Sequence, residues 1–142
     1  MSELESCRVL FVDDEEEFLN TLIKYLRRKK LNVTAAHSGL AGLEWFRNND
    51  VDVVVLDIKM PDMSGLEVLA KMRELKGDDF NVVILSGHAH TDLAIAAMRG
   101  GACDFLLKPC EMSELLERID LAYERLMERK GGQAAHAQTT MQ

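Results

Sequence analysis

The sequence predicts an α/β domain built on a parallel sheet whose strands are joined by helices. Three observations carry that expectation. Short β-branched runs (RVLFVD, VDVVVLD and NVVILSG) alternate with longer stretches of helical periodicity, the rhythm of βα units. The chain has 142 residues, the length of one domain with a single sizeable core. Its composition, 47% apolar and 29% charged, is ordinary for a globular protein in water.

The elements follow in order. RVLFVD is the first strand, and Phe18, Leu19, Leu22, Ile23 and Leu26 recur at helical spacing, predicting an amphipathic helix over about 14–30. Residues 32–36 give a short second strand. Leu40, Leu43 and Phe46 mark a second helix after Ser38-Gly39. VVVL is a third, buried strand that ends on Asp57, and MPDMSG turns the chain into a third helix. That helix starts near Ser64, carries Leu66, Val68, Leu69 and Met72, and closes at Gly77. NVVILS is the fourth strand, followed by an alanine-rich helix in TDLAIAAMRGG, the least apolar in the chain. ACDFLLK is a fifth strand ending at Lys108-Pro109. Leu115, Leu116, Ile119, Tyr123 and Leu126 place a fifth helix over about 113–129. The remainder, GGQAAHAQTTMQ, lacks a periodic apolar face and reads as a flexible tail, so the expected division is a domain over 7–129 and a tail over 130–142.

Composition also excludes some functions. A net charge of -7 and a pI near 5.1 provide no basic footprint for nucleic acid or an anionic membrane. The longest apolar runs are a few residues, and MSELESCRVLF lacks the pattern of a signal peptide, so the chain reads as cytoplasmic without a membrane span. Cys7, Cys103 and Cys110 are odd in number and widely spaced, which fits reduced structural thiols better than disulfides or a zinc site.

Parallel strands joined by helices bring all strand carboxyl ends to one edge. Reading off those ends gathers Asp13 and Asp14 from the first strand, Asp57 from the third, Ser86 from the fourth and Lys108 from the fifth. Each residue alone has a plain alternative: Asp57 as a helix or turn cap, DDEEE as acids complementing a helix amino end, Ser86 as a turn hydroxyl. Together, carboxylates with an ammonium beside them suit a hard cation such as Mg2+ and a phosphoryl oxygen.

The doublet in LFVDD, the Asp of VVVLDIKMPDMSG, the hydroxyl of VVILSGH and the Lys-Pro of GACDFLLKP stand in the order and spacing of one family. The chain resembles a response-regulator receiver domain of two-component signalling, over about residues 7–129. The resemblance implies a flavodoxin-like, doubly wound five-stranded parallel sheet of order 2-1-3-4-5 with five flanking helices. It implies Asp57 as phosphoacceptor and Asp14, Asp57 and the Lys59 backbone carbonyl as ligands to Mg2+, with Mn2+ as a substitute. Asp13 would act through a metal-bound water, Lys108 would pair with a phosphoryl oxygen, and Lys108-Pro109 is a candidate cis peptide. Ser86 and Phe105 would form the switch, and Lys59 and His88 would tune how water reaches the acyl phosphate. The glutamates Glu15, Glu16 and Glu17 are assigned to a solvated helix start. His88 and His90 form HAH, weak as a metal pair without a third ligand.

The same resemblance implies a histidine kinase or phosphotransfer protein as donor, and an output domain or downstream protein that reads a surface of the fourth helix, fifth strand and fifth helix. That surface would also serve a homodimer. A signalling phosphoacceptor of this kind is not an enzyme on an external substrate. Two other readings compete. A haloacid-dehalogenase-like phosphatase also builds an aspartyl phosphate with magnesium, but its signature has a second Asp where this chain has Lys59. A flavodoxin-like flavin module needs a phosphate cradle where this chain has DDEEE, whose acids would repel the flavin phosphate.

Overall fold

The computed structural model describes residues 3–87 and 91–140. Its strands are β1 (Arg8–Val12), β2 (Asn32–Ala36), β3 (Val53–Leu56), β4 (Asn81–Gly87) and β5 (Asp104–Lys108). They alternate with helices α1 (Glu16–Arg28), α2 (Gly39–Asn48), α3 (Gly65–Lys76), α4 (Thr91–Arg99) and α5 (Met112–Thr140). Every strand pairing is parallel, and the sheet order is β2-β1-β3-β4-β5, as expected from the sequence. The order reverses between β1 and β3, which opens a crevice at their carboxyl ends.

Alternation along the strands builds two cores. Leu10, Val12, Val54, Leu56, Val82 and Ile84 face one way and pack with Leu43, Phe46, Val68, Leu69 and Met72 of α2 and α3 and with Ala94 and Ala97 of α4. Val9, Phe11, Val53, Val55, Val83 and Leu85 face the other way and pack with Leu19, Leu22, Ile23 and Leu26 of α1 and with Leu115, Ile119 and Ala122 of α5. Since β3 is covered on both faces, all four of its residues are buried, which is why VVVL shows no alternation in the sequence.

Local signals set the helix ends near the site. Ser38 Oγ accepts the Ala41 N–H at 3.1 Å, and Asp62 accepts the Gly39 and Leu40 N–H groups at 3.1 and 3.0 Å, so α2 has two caps. Ser64 Oγ accepts the Leu66 N–H at 3.1 Å and starts α3, and Gly77 closes it with φ 57°. At the opposite edge of the sheet, Asp52 is buried and bound to Arg8: its Oδ2 accepts the Arg8 N–H at 2.8 Å and Nε–H at 2.9 Å, and its Oδ1 accepts Nη2–H at 2.9 Å.

Three expectations need correction. The first helix begins at Glu16, not near Asp14, because Asp13 and Asp14 are drawn into the site. Leu40 was expected on the buried face of α2 but is 64% exposed. The face that packs inward is Gly39, Gly42, Leu43 and Phe46, and two of these are glycines that hydropathy does not weigh as apolar. A Cβ on Gly42 would meet Val12 Cγ2 at 2.7 Å, so helix and sheet touch there because the side chain is missing. Finally, α5 ends at Thr140, past the end expected at about Arg129. Amphipathic periodicity reports the packed part of a helix, whereas QAAHAQTT contains good helix formers and no proline, and a Gly-Gly pair costs only about 1 kcal/mol per residue.

Candidate functional site

The carboxyl ends of β1, β3, β4 and β5 bring Asp13, Asp14, Asp57, Ser86 and Lys108 together, the five residues read from the strand ends. Asp13 is fixed by backbone: its N–H donates to the Ala36 carbonyl at 3.0 Å, and its Oδ1 accepts the Glu15 N–H at 2.9 Å. Asp57 is tied in the same way, its N–H donating to the Val12 carbonyl at 2.9 Å. Beyond it, the Gly65 N–H donates to the Ile58 carbonyl at 2.6 Å, and Lys59 forms an antiparallel bridge with Ser64. The start of α3 therefore lies directly against the peptide that carries Asp57. A Cβ added to Gly65 would come 2.7 Å from Ile58 Cα, closer than real Cβ atoms approach, and 3.1 Å from the Asp57 carbonyl carbon.

The side chains make one connected cluster. Ser86 Oγ donates to Asp57 Oδ1 at 2.7 Å, and the Lys59 N–H lies 3.4 Å from the same oxygen. The Lys108 ammonium is 2.6 Å from Asp13 Oδ2, 2.9 Å from Glu15 Oε1 and 3.8 Å from Asp57 Oδ2. It also lies over the Phe18 ring, 4.9 Å from the centroid. The Lys108-Pro109 peptide is cis, as the sequence suggested.

Burial and pairing oppose each other here. Burial pushes the Asp13 carboxyl above the usual carboxylate range, and the bonds from Lys108 and the Glu15 N–H recover only part of that. For Lys108, burial pulls the ammonium down, but the bonds to Asp13 and Glu15 outweigh it and hold the amine above its ordinary value. The contact with Lys108 thus offsets part of what burial costs the Asp13 carboxylate, and the two acids stabilise the ammonium.

The donor set fits a hard cation. Asp13, Asp14 and Asp57 each offer a carboxylate oxygen, and these oxygens all lie within 4.8 Å of one another. Hard oxygens with no nitrogen or sulfur among them are the ligands Mg2+ selects. Three carboxylates against one lysine also leave the crevice with an excess of negative charge that a divalent ion would balance.

Other predicted residues are less central. The Lys59 side chain is exposed. Phe105 is partly buried and packs against the core on the α2–α4 side, paired in register with Ile84. His88 lies outside the described residues, and so does the HAH stretch. Glu15 is not only a solvated acid, since it contacts Lys108 through a side chain 60% exposed. Its position beside the doublet was the available signal, but the helical reading of DDEEE absorbed it. Phe18 was assigned only to the helix, although its ring also supports the lysine. Cys7 is buried, and Cys103 and Cys110 are partly buried free thiols; burial raises the thiol pKa of all three, in keeping with structural roles.

Comparison with known proteins agrees with this geometry. The family model described as the response regulator receiver domain matches residues 9–120. The transcriptional regulatory protein PrrA of Mycobacterium tuberculosis is 34% identical over 136 residues, which are 96% of this chain and 56% of PrrA. The chain thus spans about half the length of this curated relative. Among solved structures, a CheY-like receiver domain protein from Methanospirillum hungatei superposes with a TM-score of 0.81 at 27% identity, covering 87% of this chain and 98% of that one. A chain described as the adenylate cyclase from Rhodopirellula baltica superposes at 0.85 with 30% identity, covering 92% and 96%. Neither the phosphatase nor the flavin reading finds support among these relatives.

Proposed function

The chain belongs to the response regulator receiver family, and we propose that Asp57 is its phosphoacceptor, served by Asp13, Asp14, Ser86 and Lys108. The observation that carries this reading is the convergence of those five side chains on one crevice at the sheet edge. One Asp57 carboxylate oxygen attacks the phosphorus of a phosphohistidine on a histidine kinase or phosphotransfer protein. The O–P bond forms as the P–N bond breaks, and the imidazole nitrogen keeps the electron pair, leaving an acyl phosphate on Asp57.

Asp14, Asp57 and the Lys59 carbonyl would hold Mg2+, with Asp13 reaching it through water. The ion, when bound, supplies positive charge between two anions that would otherwise repel. Ser86, now on Asp57 Oδ1, and Lys108 then turn to the phosphoryl oxygens, which add about two negative charges to the crevice. That movement is passed to Phe105 and to the α4–β5–α5 surface. The surface carries the exposed Ile95, Met98 and Leu107, and the Asp104–Arg118 ion pair joins β5 to α5 at 2.9 Å. An output domain, a downstream protein or a second copy would bind there. The protein acts as a switch loaded by its partner and not as an enzyme on an external substrate. Lys59 and His88 tune how long the phosphoryl group survives.

The donor's docking place is supported by a mostly apolar groove of about 470 Å3 along α1, where Phe18, Thr21, Leu22, Tyr25 and Met112 are flanked by the charged Glu17 and Arg28. Phe18 contacts Lys108, so a helix seated in the groove stands next to the acceptor. The test is intact mass after incubation with Mg2+ and acetyl phosphate. One phosphoryl adduct on the parent, absent from Asp57→Ala, is expected; an adduct that persists in Asp57→Ala, or rapid multiple turnover of the donor, overturns the reading.

A further inference from the structure

We propose that Glu15 is a positioning residue that holds the Lys108 ammonium away from the phosphoacceptor and yields it when a phosphoryl group arrives. The proposal rests on the reading of Asp57 as phosphoacceptor. It starts from an asymmetry in how Lys108 is held. Asp13 at 2.6 Å and Glu15 at 2.9 Å are within hydrogen-bond distance, whereas Asp57 at 3.8 Å is not. The Phe18 ring lies on the ammonium at 4.9 Å. All three near neighbours come from the end of β1 and the start of α1, so the lysine is drawn toward that segment and away from β3.

The two acids do not hold it equally. Asp13 is buried, and its other oxygen is occupied by the Glu15 N–H at 2.9 Å, so it stays in place. Glu15 is 60% exposed, precedes α1 and makes no side-chain capping bond there. Its carboxylate can therefore turn into water at little cost, and it is the partner Lys108 exchanges most readily.

A phosphoryl group on Asp57 presents acceptor oxygens and about two negative charges. To pair with one, the ammonium must close from 3.8 Å to roughly 2.8 Å, the usual length of a charged N–H···O bond. Glu15 competes for the same donor hydrogens. As an exposed partner it tunes the exchange and does not block it, and removing its charge should tighten phosphoryl binding by about threefold to fivefold.

The experiment is a calorimetric titration of the full chain with beryllium fluoride, a non-covalent phosphoryl mimic, at fixed Mg2+. Glu15→Gln should bind about threefold to fivefold tighter than the parent. Glu16→Gln removes the same charge one residue further into α1 and should change affinity by less. In a Lys108→Met background the effect of Glu15→Gln should vanish, because its competitor is gone. Equal or weaker binding by Glu15→Gln overturns the proposal. So does a gain that survives in Lys108→Met, which would mean simple charge repulsion. If the parent shows no binding that depends on Asp57, the phosphoacceptor reading itself falls, and this inference with it.

Discussion

Replacing Gly65 by alanine should destabilise the fold and disturb the site at once, although the change favours helix by every local rule. Gly65 opens α3, and its φ is not positive, so intrinsic propensity alone favours alanine by up to about 1 kcal/mol. Packing argues the other way. The new methyl would come 2.7 Å from Ile58 Cα and 3.1 Å from the Asp57 carbonyl carbon, and these are backbone atoms of a segment bound to β1. No rotamer change relieves that overlap, so either α3 or the Asp57 peptide must move by about an ångström. Overpacking costs about 1–3 kcal/mol, and a backbone neighbour places this case at the upper end. After the propensity gain, a net loss of about 2 kcal/mol is expected from urea unfolding. Mg2+ affinity, titrated on the folded variant, should fall as well, because the shifted peptide carries Asp57. Gly131→Ala in α5 is the matched control: a Cβ there meets nothing within 4 Å, so the same substitution should stabilise by a few tenths to about 1 kcal/mol. A Gly65→Ala protein as stable as its parent, with unchanged Mg2+ affinity, would refute the claim that α3 is pressed against the peptide that carries Asp57.

Two further outcomes are expected. Burial works against ionisation of Asp52, but the Arg8 bonds outweigh it and hold the carboxyl below the usual carboxylate range. A depressed folded value means that Asp52 adds stability above its unfolded pKa of about 3.9, and that this is lost as pH falls through the lower folded value. Asp52→Asn should therefore be less stable than the parent at neutral pH, by about 2 kcal/mol since the Arg8 partner is partly exposed, with the gap narrowing below about pH 4; a gap independent of pH would count against it. For the tuning residues, loss of phosphoryl from Asp57 should change in rate in Lys59→Ala or in His88→Ala, and both matching the parent would reject that role.

The sequence by itself determined the sheet, its parallel sense and the residues of the crevice. Strand ends are marked by where a β-branched run stops, and a parallel βα topology sends all those stops to one edge. Asp13, Asp14, Asp57, Ser86 and Lys108 were therefore legible without coordinates, since the backbone alone brings them together. What only the tertiary structure decided depends on side chains choosing partners in space. Lys108 is long enough to reach several acids, and only packing selects Asp13, Glu15 and the Phe18 ring over Asp57. Leu40 turns outward because another face of α2 packs inward, where Gly42 lets it approach Val12 of the sheet and Gly39 lets it approach Met63 and Val68, contacts made by absent atoms. The end of α5 escaped the periodic reading because residues 131–140 carry no apolar period, and helix formation itself requires none.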